Sequence, residues 1–145
     1  MSDDAQLCVL KVGGEDYVVD IRRVEEIIPA PVVTPVPRAP AFLEGVLKLR
    51  GDVVPVIDVR KRLRVTPAVP PRRQEKLIVC RVGRRRVGLI VDAVVAVVKL
   101  PKSELKPAPL AARPGRAAHV LGVCGEPGKL KLLLDVKALL VEDPP

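Results

Sequence analysis

Apolar residues in this chain fall into short runs, punctuated by glycine and proline. The clearest case is residues 42–63, FLEGVLKLRGDVVPVIDVRKRL. Val46, Leu47 and Leu49 precede the glycine, and Val53, Val54, Val56, Ile57 and Val59 follow it. Alternating β-branched runs around a Gly-Asp pair predict a strand, a tight Gly51-Asp52 turn and a second strand. A different spacing occurs at 21–28, where Ile21, Val24, Ile27 and Ile28 recur at helical intervals and predict a short amphipathic turn. The last apolar stretch, 136–141, reads equally as a strand or as a final helical turn.

The pattern repeats. At an offset of seventy, Leu7 aligns with Leu77, Val12-Gly13 with Val82-Gly83, Tyr17 with Val87, and Ile27-Ile28 with Val97-Val98. At an offset of seventy-seven, Phe42 aligns with His119, Gly45-Val46 with Gly122-Val123, Gly51 with Gly128, and Ile57-Asp58-Val59 with Leu134-Asp135-Val136. Glycines and aspartates falling in register imply two copies of one unit: a hairpin, a helical turn and a second hairpin. The copies span about 7–63 and 77–140, joined by proline-rich connectors at 64–76 and 101–117. Two sets of about five short strands predict two small antiparallel barrels, whose closure would hide Val-rich edges. Which strands go to which barrel stays open, and exchange between the copies is one solution.

Composition narrows the chemistry. A chain of 145 residues suffices for one compact domain or two sub-barrels sharing a core. Tyr17 and Phe42 are its only aromatics, so that core is aliphatic. No apolar run reaches the roughly 18 residues of a membrane helix, and acidic residues near the N-terminus do not resemble a secretory leader. A cytoplasmic location is expected, with no membrane insertion. Cys8, Cys80 and Cys124 form no paired motif and are expected to be reduced and buried. The net charge of +8 gathers at Arg60–Arg64, Arg72-Arg73 and Arg84–Arg86. Those arginines either keep a Val-rich barrel soluble or meet an acidic partner.

Catalytic chemistry finds no support. The single histidine, His119, occupies the repeat position of Phe42 and is expected to be structural. No nucleophile–base pair, metal-ligand cluster or phosphate-binding glycine loop is present, so no catalytic residue, cofactor or metal is expected. Asp58 and Asp135 are repeat equivalents, which predicts a turn cap or a local ion pair. The copies differ at Arg50, aligned with Pro127, and Glu26, aligned with Ala96. Both are either solvated surface charges or parts of an interaction surface, pairing with each other.

Phe42-x-x-Gly45, Arg50-Gly51 and Pro55-x-x-Asp58-Val59-Arg60, with Val87-Gly88-Leu89-Ile90-Val91-Asp92-Ala93-Val94 downstream, resemble the signature of the CheW family of chemotaxis adaptors. The resemblance runs from Leu7 to Leu140; Lys48 stands where the family most often has Asn. It implies a mostly β fold, a single domain over 7–140 made of two SH3-like five-stranded β-barrels with short helical turns. It implies a non-enzymatic adaptor coupling methyl-accepting chemoreceptors to the regulatory domain of the histidine kinase CheA. The receptor tip would lie in a groove bearing Val24, Glu26, Ile27, Ile28, Arg50 and Val87. The kinase would contact Glu44, Gly45, Lys48 and Arg50. The protein would be monomeric when alone and held at the inner membrane through receptor arrays. Rival readings are an adaptor of another pathway, such as pilus motility, and a basic small-barrel nucleic-acid binder. The near absence of stacking aromatics weighs against the second.

Overall fold

The computed structural model describes residues 4–65, 75–107, 119–126 and 128–140. Most of the two connectors, together with Arg72-Arg73, Pro127 and Val141, lies outside them. The first half forms β1 (Asp4–Val12), β2 (Glu15–Asp20), a 3-10 turn (Ile21–Arg23), β3 (Val24–Pro29), β4 (Leu43–Leu49), β5 (Asp52–Asp58) and α1 (Val59–Leu63). The second half forms β6 (Lys76–Val82), β7 (Arg85–Val91), β8 (Ala93–Pro101), β9 (Lys106–Pro107), β10 (Val120–Cys124), β11 (Lys131–Leu134) and α2 (Val136–Leu140).

The fold is mostly β, in two sheets. One runs β8-β1-β2-β11-β10-β9 and the other β3-β6-β7-β5-β4. The halves therefore exchange strands: β8 pairs with β1, and β3 pairs with β6. The sheets are not wholly antiparallel, because β11 runs parallel to β2 and β5 parallel to β7. Both parallel pairs occupy equivalent positions in the repeat. The six-to-five strand count is a matter of length. Two-residue β9 pairs with Gly122 and Val123, while its counterpart is the single bridge from Thr34 to Val46.

That crossing explains the glycines of the repeat. A Cβ on Gly45 would lie 2.2 Å from the Thr34 carbonyl oxygen, and one on Gly122 would lie 2.5 Å from that of Lys106. Both strands bulge at the same place, between Leu43 and Gly45 and between Val120 and Gly122. A backbone passes where a side chain would stand, so only glycine fits.

Local chemistry corrects two expectations. The β4–β5 turn centres on Arg50-Gly51, not Gly51-Asp52: Leu49 pairs with Asp52, and the φ values of Arg50 and Gly51 are 50° and 87°. Two successive positive φ angles match the twist of the strands they join. The helical spacing at 21–28 becomes one 3-10 turn followed by β3, since Ile27 and Ile28 pair with Ile78 and Leu77. β-branched side chains fit that half-buried strand better than a helix. At the C-terminal end, 136–140 is helical.

Asp58 caps α1, its Oδ1 accepting from the Arg60 N–H at 3.0 Å, and Asp135 Oδ1 accepts from the Ala138 N–H at 3.2 Å. The backbone N–H of Asp58 donates to the Phe42 carbonyl at 2.9 Å and that of Asp135 to the His119 carbonyl at 2.8 Å. His119, buried, thus holds the structural place of Phe42.

A central core draws Leu10, Tyr17 and Val19 from one sheet and Ile57, Ile78, Val87 and Leu89 from the other. Each sheet also encloses its own cluster, around Leu7, Val9 and Val18 in one and Val56, Leu77 and Val79 in the other. Central strands face a core on both sides, hence their unbroken apolar runs.

Candidate interaction site

β3 and β4 are the two edges of the five-stranded sheet. The turn after β4 nevertheless reaches back to β3. Arg50 Nη1 lies 2.9 Å from Glu26 Oε1, and Nη2 donates to Oε2 at 3.0 Å. This two-point contact ties the open ends of the sheet at the surface. In the other copy its place falls to Ala96 and Pro127, neither of which can form such a tie, and Pro127 lies outside the described residues.

The pair belongs to a larger lattice. Arg81 Nε donates to Glu25 Oε1 at 2.6 Å, Arg86 Nε lies 2.9 Å from Glu25 Oε2, and Arg86 Nη1 donates to Asp52 Oδ2 at 3.0 Å. The hydrogen bond from Arg81 holds the Glu25 carboxyl below its ordinary range, with the Arg86 and Arg50 charges adding to it against slight desolvation. Alternating charges thus run across the surface from β3 to β5.

The predicted receptor residues do not form one surface. Val24, Glu26 and Ile28 are half-buried and Ile27 is 39% exposed, and a bulge between Val24 and Glu26 turns Val24 to the opposite face of the sheet from Glu26 and Ile28. Val24 packs against the central core and Ile28 against the cluster of Val56 and Leu77. Val87 must be withdrawn from the groove: it is fully buried between the sheets, where no partner can touch it. Among the kinase residues, Lys48 is exposed and Glu44 is tied to Lys61 Nζ. Gly45 is buried beneath Thr34, which makes its place in the fold a matter of backbone packing and leaves a partner no direct access.

Sequence reasoning missed two buried guanidinium groups. Arg60 and Arg62 belong to the Arg60–Arg64 cluster, expected either to keep the barrel soluble or to meet an acidic partner, yet they are 6% and 4% exposed. Arg60 reaches Asp58 at 3.4 Å, Glu75 at 3.0 Å and Asp92 at 3.1 Å. Burial opposes its charge, but those three carboxylates outweigh it and raise its pKa above the ordinary value. Arg62 stacks on the Phe42 ring, 4.1 Å from the centroid, and its Nε donates to the Leu139 carbonyl at 3.0 Å. The repeat carried a signal for Arg62 alone: it aligns with apolar Leu139, whereas Arg60 aligns with Lys137, another cation.

No group of three or more His, Cys, Asp or Glu side chains able to hold a metal is found among the described residues. No helix among them is long and apolar enough to cross a membrane.

Comparison with known proteins decides the family. The model of the CheW-like domain matches residues 6–143. The chain belongs to the CheW-like domain family. It is 32% identical over 139 residues to a probable chemotaxis protein CheW of Rhizobium etli, covering 96% of this chain and 89% of that protein. It is 34% identical over 114 residues to protein FrzA of Myxococcus xanthus, covering 78% of this chain and 69% of that one. The crystal structure of the scaffolding protein TtCheW from Thermoanaerobacter tengcongensis superposes with a TM-score of 0.84 at 28% identity, covering 93% of this chain and 91% of that one. CheW-family proteins are scaffolds and adaptors rather than enzymes, and this CheW-like chain is one of them.

Proposed function

We propose that this CheW-like chain couples methyl-accepting chemoreceptors to the regulatory domain of a CheA-type histidine kinase in chemotaxis, acting in the cytoplasm at receptor arrays. The observation that carries the reading is the Arg50–Glu26 tie. It occupies a surface seam, sits beside exposed Ile27, and has no charged counterpart in the second copy. A fold that closes one barrel without this charge pair does not need it for closure, which favours a role in partner contact. Val24, Glu26, Ile27, Ile28 and Arg50 are the receptor-side candidates that remain, and Glu44, Lys48 and Arg50 the kinase-side ones.

The test is co-elution by size exclusion with the kinase regulatory domain and with a receptor fragment from the same organism. Arg50→Glu faces Glu25 and Glu26 with a like charge and should weaken assembly about tenfold or more. It should cost the fold less than about 1 kcal/mol, because the Arg50 side chain is 66% exposed and surface pairs contribute little. The left-handed turn position costs glutamate about what it costs arginine. Undiminished assembly, or a variant that unfolds, would remove Arg50 from the site. An adaptor for a different kinase pathway is the second reading, favoured by the likeness to FrzA. Co-elution with that pathway's kinase alone would select it.

A further inference from the structure

The β1–β2 and β6–β7 hairpins are equivalent, and their turns have opposite charge. Val12-Gly13-Gly14-Glu15-Asp16 in one aligns with Val82-Gly83-Arg84-Arg85-Arg86 in the other. Both are two-residue loops, with Val12 opposite Glu15 and Val82 opposite Arg85, and the first glycines have φ of 59° and 61°. The fold therefore accepts Gly-Glu-Asp where it carries three arginines. Nothing in the hairpin's own geometry asks for them.

The arginines border a cleft of about 530 Å³. Arg81, Arg84, Arg85 and Arg86 form one side, and Val53 and Leu140 supply apolar lining. Val53 is 68% exposed. Glu25 engages Arg81 and Arg86, and Asp52, the acidic residue lining the cleft, engages Arg86. Arg84 and Arg85 have no ion-pair partner among the described residues. Exposed guanidinium groups beside an exposed valine match a ligand that carries both carboxylates and an apolar side chain. No aromatic residue lines the cleft to stack a base.

We propose that the β6–β7 arginine hairpin and this cleft bind an acidic segment of a partner protein, its carboxylates pairing with Arg84 and Arg85 and an apolar side chain covering Val53. This surface goes beyond the coupling reading and needs neither receptor nor kinase to be measured. The probe is a fluorescein-labelled peptide of alternating glutamate and leucine, titrated by anisotropy against the full chain. The variant R84G/R85E installs the Gly-Glu that the other hairpin already carries. It should melt like the parent and bind the peptide at least about tenfold more weakly. Serine in place of leucine should weaken binding severalfold, and added salt should weaken it further. Should R84G/R85E fail to fold, R84S/R85Q removes the same charges without reversing one. Equal affinity of a folded variant overturns the proposal. So does indifference to the leucines, or tighter binding to a single-stranded oligonucleotide or to phosphatidylserine vesicles than to the peptide.

Discussion

Replacing Arg60 by methionine removes one charge from the junction of the two sheets. The guanidinium touches Asp58 at the end of β5, Glu75 just before β6, and Asp92 between β7 and β8. Asp92 in turn reaches the other sheet: its Oδ2 accepts the Gly13 N–H at 2.7 Å, and its own N–H donates to the Lys11 carbonyl at 2.9 Å. The Arg60 side chain is 7% exposed, and its three partners are 7%, 11% and 13% exposed. The discount that applies to surface pairs is therefore small here. Methionine fills much of the volume of the arginine stem, so the cost is chiefly the desolvated carboxylates left unpaired. Breaking a buried ion pair from one side costs about 3–5 kcal/mol, a large part of the roughly 5–15 kcal/mol that holds a domain folded.

Urea unfolding followed by far-ultraviolet circular dichroism, compared at constant slope, measures that loss. Arg60→Lys keeps the charge but not the three-way fork, and should fall between the parent and Arg60→Met. Adding Asp92→Asn to Arg60→Met should restore part of the loss: the amide oxygen still accepts from Gly13 while one orphaned charge disappears. Couplings within one network amount to about 0.5–3 kcal/mol. A midpoint for Arg60→Met that implies a loss below about 1 kcal/mol would show that the network behaves as a surface pair, and the reasoning would fail.

Two further predictions concern the repeat and the thiols. Gly45→Ala places a methyl 2.2 Å from the Thr34 oxygen and 2.7 Å from its carbonyl carbon, whereas Gly122→Ala meets only the Lys106 oxygen below 3.0 Å. Alanine at 45 should cost about 2–4 kcal/mol from overpacking and backbone strain, and more than alanine at 122; equal midpoints in urea would refute the crossing-backbone explanation. Burial pushes the Cys80 thiol up to about 12, with Cys8 nearby adding to it. It should not react with Ellman's reagent at pH 8 until the protein unfolds, and stoichiometric labelling of the folded chain at Cys80 would contradict the core assignment.

Much of this architecture is legible in the chain because it depends on local rules. Strand period, turn glycines and the capping aspartates Asp58 and Asp135 act over a few residues, and the repeat doubles each signal. The allocation of strands is not local. The β1–β2 hairpin joins the sheet of β8–β11 and the β6–β7 hairpin that of β3–β5, and no pattern within either hairpin records that choice. The failure at Val87 has a related cause. A strand with a core on each side is apolar throughout, so a groove residue and a core residue look alike in sequence. Arg60 misled for the opposite reason. Its basic neighbours suggested a solvated cluster, while two of the carboxylates that bury it, Glu75 and Asp92, lie far along the chain.

The repeat also separates what the fold requires from what it merely permits. Features present in both copies have structural reasons: the bulge glycines Gly45 and Gly122, the aspartates before α1 and α2, the parallel strand pairs. Features present in one copy are not required by the repeated unit itself, because the other copy closes without them. Three such features are the Arg50–Glu26 tie, the Arg60 junction and the arginine hairpin at β6–β7. Burial divides them again. Arg60 is inaccessible and can serve only by holding the sheets together, whereas the other two are exposed and linked through Glu25, which Arg81 and Arg86 engage and which feels the Arg50 charge. A partner that displaced one guanidinium from Glu25 would alter the field at the others. The two exposed surfaces therefore meet at one carboxylate on an edge strand, Glu25, which is ion-paired on one side and lies in the field of Arg50 on the other.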